Sequence, residues 1–86
     1  MSTPLTGLRV DASLDARGID RPESYQKAVV QLQGMAEHEI LELYIDEGEP
    51  LNTIPFGLRA EGHEILVSEP ATTGVRLLVR KRALIT

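Results

Sequence analysis

Four short stretches in which apolar and polar residues alternate, interrupted by two apolar stripes at helical spacing, fix the order of elements that this 86-residue chain can form. Residues 8–14 (LRVDASL) place Leu8, Val10, Ala12 and Leu14 on one face and Arg9, Asp11 and Ser13 on the other, the pattern of a half-buried strand. Residues 38–45 alternate again, with Leu41, Leu43 and Ile45 against Ile40, Glu42 and Tyr44. Residues 63–69 and 75–82 form two more such runs. Between them stands Pro70-Ala71-Thr72-Thr73-Gly74, whose length and glycine suit an antiparallel hairpin.

The stretches between the first three runs change period. A polar turn around Gly18 leads to Pro22, and proline is favoured at a helix start because the N–H it lacks would be unpaired there. Tyr25, Ala28, Val29 and Leu32 then recur at three- and four-residue steps, which predicts a helix over 22–33 with Gly34 at its C-terminal cap. Asp20 and Glu23 have the D-x-x-E spacing of a capping box. Leu51, Ile54, Pro55 and Leu58 form a second stripe ending near Gly62. Proline is tolerated only in a first turn, so Pro55 predicts a start near Asn52 or Thr53, and Gly57 weakens the helix further.

The order strand, helix, strand, helix, strand, strand, with one apolar face per element, predicts an α+β fold. It is a two-layer α/β sandwich (βαβαββ), a four-stranded mixed sheet carrying both helices on one face. Residues 1–7 read as a flexible leader, 8–82 as a single domain and 83–86 as a tail. The aromatic residues are Tyr25, Tyr44 and Phe56 alone, so the core is expected to be aliphatic and platforms for stacking nucleic-acid bases are scarce. The absence of cysteine excludes disulfides, thiolate catalysis and metal clusters held by this chain's own thiols. His38 and His63 lack a partner at ligand spacing, so no metal and no cofactor is expected. No apolar run is long enough for a membrane span and no apolar segment follows Met1, which makes a cytoplasmic location the expectation. The net charge of −4 disfavours nonspecific binding to nucleic acid or anionic membrane.

The segment Asp15-Ala16-Arg17-Gly18-Ile19-Asp20-Arg21-Pro22 resembles the signature of the TusA/SirA-like sulfur-carrier family, Asp-x-Arg-Gly-Leu-x-Cys-Pro-x-Pro. Lys27, Ile54-Pro55 and Gly62-His63 fall where that family has Lys, Ile-Pro and Gly-His, and the element order derived above is the family's fold. The resemblance implies a carrier of persulfide sulfur that hands its cargo to a protein partner. The departure lies at the chemistry. The sulfur-carrying cysteine is replaced by Arg21 and the family's second proline by Ser24. A guanidinium has no nucleophilic sulfur and stays protonated, so this chain alone cannot relay a persulfide.

What the resemblance then implies is a member lacking the sulfur-carrying cysteine. It would be a noncatalytic protein-binding or regulatory module, a monomer or weak dimer, with a partner from a sulfur-relay system. Asp15, Arg17, Gly18, Arg21, Pro22 and Lys27 are the candidate partner- or anion-binding residues, because the N–H groups and dipole of a helix start favour anions. Three of them have a plainer alternative: Asp15 as a turn residue bonding its own backbone, Arg21 in surface ion pairs with Asp20 and Glu23, Lys27 as a solvated lysine. The uncovered sheet face offers a second docking surface around Tyr44, Leu66, Leu78, Arg76 and Arg80. Arg76, Arg80, Lys81 and Arg82 cluster on the last strand, which leaves an RNA- or phosphate-binding module as one alternative, or a guard against edge pairing. A sulfurtransferase component whose thiol comes from a partner is another. Asp15, Asp20 and Glu23 have no evident apolar pocket to tune them, so acid–base catalysis is not expected.

Overall fold

The computed structural model describes residues 9–82, apart from the side chain of Arg21. The expected leader over 1–7, Leu8 of the first strand and the tail over 83–86 lie outside the described residues. The elements are β1 (Ala12–Asp15), α1 (Arg21–Gln33), β2 (Ile40–Ile45), α2 (Glu49–Ala60), β3 (Glu64–Pro70) and β4 (Val75–Arg80). They form one four-stranded mixed sheet in the order β1-β2-β4-β3. β1 and β2 run parallel, joined by the α1 crossover, while β4 pairs antiparallel with both β2 and β3. This is the two-layer α+β sandwich that the alternating patterns predict.

Alternation along each strand divides the sheet into two faces. Leu41, Leu43, Ile45, Leu77 and Val79 point into one aliphatic core with Ala28 and Leu32 of α1 and Ile54 and Leu58 of α2. All nine are at most 1% exposed. The other face carries Glu42, Tyr44, Arg76, Leu78 and Arg80.

Several boundaries differ from the expected ones, each for a local reason. β1 starts at Ala12 rather than at residue 8. Just before it, the Asp11 carboxylate accepts the Ile40 N–H (2.9 Å) while the Asp11 N–H goes to the Ile40 carbonyl, so side chain and backbone together end the ladder. α1 opens at Arg21, which puts Pro22 in the second position. The capping box is not formed, because Asp20 occupies the N-cap position but its side chain bonds no helix N–H. Such a cap bonds the second or third residue of the helix, and the second here is a proline with no donor. Gly34 stands at the C-cap as expected, yet in the right-handed region at φ −85°.

α2 begins at Glu49, earlier than Pro55 suggested, and carries Pro55 in its interior. Pro50 takes the early position that tolerates proline, and the Thr53 hydroxyl donates to the Glu49 carbonyl (2.9 Å). Ile54 and Leu58, buried one turn apart, anchor the helix on the sheet, so packing overrides the local penalty of Pro55. Gly57 has a packing reason as well. A Cβ there would lie 2.7 Å from Cε1 of Tyr25, so the glycine is what lets α1 and α2 approach.

β3 runs through Pro70 and contains a register shift between Ile65 and Val67. The bulge at Leu66 advances the strand by one residue. Val67, rather than Leu66, therefore stands across from Leu78 on the open face, and Glu69 stands across from Arg76. β4 ends at Arg80 rather than at residue 82, although backbone bonds from His38 to Lys81 (2.8 Å) and from Lys81 to Glu39 (2.8 Å) continue the pairing past its end.

Candidate functional site

The turn between β1 and α1 is held by bonds made largely within itself. Oδ1 of Asp15 accepts the Arg17 backbone N–H (3.1 Å) and Nε–H (2.9 Å), and Oδ2 accepts from Nη2 (2.8 Å). Nη1 of Arg17 reaches across to the β3–β4 turn, donating to the Thr73 carbonyl (2.9 Å) and hydroxyl (3.1 Å). The guanidinium also lies over the Tyr44 ring, 4.7 Å from its centroid. Gly18 follows at φ 78° and donates its N–H to Oδ2 of Asp46 (2.9 Å). The Arg17 bonds hold the Asp15 carboxyl at about 2, well below the usual carboxylate value, and raise the Arg17 guanidinium in turn. Asp15, Arg17 and Gly18 thus form a clasp that ties β1, β2 and the β3–β4 turn together. The Arg17 donors on Nε, Nη1 and Nη2 are engaged within the protein. The bare Asp-x-Arg-Gly spacing could not disclose this, because Thr73 and Asp46 come from distant segments.

The clasp delivers the chain to the start of α1. Arg21 is the first residue of the helix, and its side chain lies outside the described residues. Pro22 is exposed and, with Tyr25, Thr53, Ile54 and Gly57, lines an open groove of about 350 Å³ between the two helices. Tyr25 donates its hydroxyl to Oε2 of Glu61 (3.3 Å); burial, followed by the Glu61 charge, pushes the phenol above its usual range. Tyr25, Thr53 and Gly57 line this groove and are not among the site residues expected from the sequence. Their signal was Gly57 itself, a glycine in a helix interior facing an aromatic on the preceding helix. Lys27 stands elsewhere, in a second groove along the outer side of α1 with Leu14, Glu23 and Val30.

The open sheet face is a network of opposite charges. Glu42 accepts from Ser13 Oγ (3.0 Å), Tyr44 OH (3.3 Å) and Arg76 Nε (2.6 Å), while Arg76 Nη1 also donates to Glu69 (2.7 Å). Arg80 donates to Glu64 through Nε (2.9 Å) and Nη2 (2.5 Å), and Arg82 adds a contact to the same carboxylate (3.4 Å). Arg76 holds Glu42 below the ordinary carboxylate range, and Arg80 does the same for Glu64. Lys81 points the other way, its Nζ donating to the Leu32 carbonyl at the end of α1 (2.6 Å). Each of the three arginines of the basic C-terminal segment therefore meets a carboxylate. Of the apolar residues on or beside this face, Leu78 is 4% exposed, and Tyr44 and Leu66 are half-buried.

His63 Nδ1 accepts the Arg82 N–H (3.2 Å), and burial, reinforced by Lys81, lowers its pKa. Among the described residues no three His, Asp or Glu side chains converge on a point that could hold a metal ion, and no helix is long and apolar enough to cross a membrane. No family model matches the chain.

Proposed function

We propose that the protein is a noncatalytic binding module, a carrier-like domain in which the working turn and helix start recognise a protein partner without transferring sulfur. One observation carries this reading. The Asp15–Arg17 clasp fixes the turn that presents Arg21 and Pro22, and Pro22 opens directly onto the apolar groove formed with Tyr25, Ile54 and Gly57. A rigid loop beside an apolar slot suits an inserted side chain from another protein, because neither wall loses much conformational freedom on binding. The resemblance to sulfur carriers implies that their reactive cysteine corresponds in sequence to Arg21, the residue before Pro22. A partner that handles persulfide carriers is accordingly the partner class proposed.

The pairing of Arg76, Arg80 and Arg82 with Glu42, Glu69 and Glu64 favours this reading over RNA binding by the last strand, since those cations already face carboxylates. The test is affinity capture from native lysate with three baits: the wild-type chain, Arg21→Glu, and Thr53→Trp, which fills the groove from an exposed position. A specific partner retained by the wild type and lost with both variants is expected. Identical captures by all three baits would overturn the reading, as would a captured complex that dissociates steeply with added salt in the manner of phosphate contacts.

A further inference from the structure

Phe56 is 73% exposed, whereas Tyr25 and Tyr44 are half-buried. Thr53, Phe56 and Gly57 stand at i, i+3 and i+4 on α2 and so share one side of the helix. Thr53 and Gly57 line the groove between the helices, which puts Phe56 at its lip.

The groove suits an apolar occupant. Its lining, Pro22, Tyr25, Thr53, Ile54 and Gly57, carries no charge, in a chain whose net charge is −4. Both hydroxyls of the lining already donate within the protein, Thr53 to the Glu49 carbonyl and Tyr25 to the Glu61 carboxylate. One wall is the Tyr25 ring, held close against α2 at Gly57. A second aromatic ring packs well on such a wall, edge to face or offset.

We propose that Phe56 of one copy of this chain seats in the groove of a second copy, and the reverse, giving a two-fold dimer through the face shared by α1 and α2. A two-fold contact needs a patch that is its own complement. Here the anchor and the slot stand side by side on one face, so a single rotation fills both slots at once. The uncharged lining also gives two acidic chains a place to meet without setting like charges together. The contact is small. A buried aromatic side chain contributes about 150–250 Å², so two rings and the slots they fill stay below the roughly 1,200 Å² at which stable interfaces begin. Association is therefore weak and reversible. The dimer has a regulatory consequence, which rests on the recognition role proposed above: a copy seated in the groove must leave before a partner enters, so the partner draws on the monomer by mass action.

Sedimentation equilibrium of the full chain alone, from about 10 µM to about 1 mM, tests the proposal over the range of weak affinities. The apparent mass is expected to rise from 9.5 kDa toward twice that value. In a mixture of labelled and unlabelled chains, isotope-filtered NOEs should join the Phe56 ring of one copy to Pro22 and Tyr25 of the other. Phe56→Glu and Phe56→Ala alter an exposed side chain to good helix formers, so both should keep the circular dichroism of the wild type while weakening association at least about tenfold. A chain that stays at 9.5 kDa throughout would overturn the proposal. So would a dimer without those NOEs, or folded variants that associate like the wild type. No partner is present in these measurements, so a monomeric result leaves the partner reading standing, and a failed capture leaves the dimer standing.

Discussion

The two faces of the sheet bury leucine by different means. On the covered face, Leu77 is sealed at 0% exposure by aliphatic side chains from both helices. Its neighbour Leu78 points the opposite way, where no helix lies, and is still only 4% exposed. The residues around Leu78 are Glu42 and Val67 across the ladder and Arg76 and Arg80 along its own strand. Long charged side chains lay their methylene stems over apolar surface while their heads pair above it. The covered face is thus closed by packing, and the open face by a lattice of ion pairs built on the Glu42–Arg76–Glu69 and Glu64–Arg80 contacts. An uncovered sheet face need not be a vacant docking surface, and the groove between the helices becomes the better candidate for recognition.

The adjacent leucines give the sharpest way to break that contrast. Leu77→Ala removes side-chain volume from a rigid core and is expected to cost about 3 kcal/mol in urea unfolding. Leu78→Ala opens a gap under flexible arms that can settle into it, so about 1–2 kcal/mol is expected. Equal losses would mean that the two faces are packed alike. A smaller effect belongs to Glu42→Gln, which keeps the shape but removes the charge that three donors share. A loss of about 1 kcal/mol is expected, falling toward zero in high salt, whereas Leu77→Ala should be indifferent to salt.

Acid should distinguish the faces as well. Asp15, Glu42 and Glu64 are all depressed by their arginine partners, Asp15 to about 2. A depressed carboxylate stabilises the fold fully above its ordinary pKa, and that contribution is lost as pH falls through the folded value. NMR titration of the carboxyl carbons should therefore show Asp15 titrating at about 2 and Glu42 and Glu64 each titrating below the ordinary carboxylate range. Chemical shifts of the core methyl groups should hold through most of that window.

His63 gives the smallest expected effect. Burial lowers its pKa, so the neutral ring is the favoured folded form. Its contribution is complete above the ordinary histidine value of 6.5 and fades as pH drops through the lowered one. The Arg82 amide resonance should move with that titration, since Nδ1 is its acceptor. An Arg82 amide that ignores it would remove the bond.

How far these features were legible depends on how local their causes are. The strands followed from alternation, because which face is apolar is written residue by residue, and the antiparallel pairing of the last two followed from the short connection between them. The start of α2 was misplaced because Pro55 was weighed as a local penalty, while the anchoring of Ile54 and Leu58 on the sheet is a tertiary effect. The missing cap on α1 could have been foreseen, since Pro22 deletes one of the two N–H groups that Asp20 could reach. The bulge was written in the charges. Glu64 and Glu69 are five residues apart, Arg76 and Arg80 four, and both pairs can match on one face only if β3 carries an extra residue. The clasp of Arg17 with Thr73 joins segments far apart in the chain, and nothing in either segment alone announces the other.

The most direct test of the central claim, that recognition resides at the helix start and its groove rather than on the open sheet, is amide hydrogen exchange of the chain with and without its captured partner. Slowed exchange at the Ser24 and Tyr25 amides and along the groove side of α2 around Thr53 and Gly57, with β3 and β4 unchanged, is the predicted result. Protection confined to β3 and β4 while the start of α1 exchanges as freely as before would contradict it.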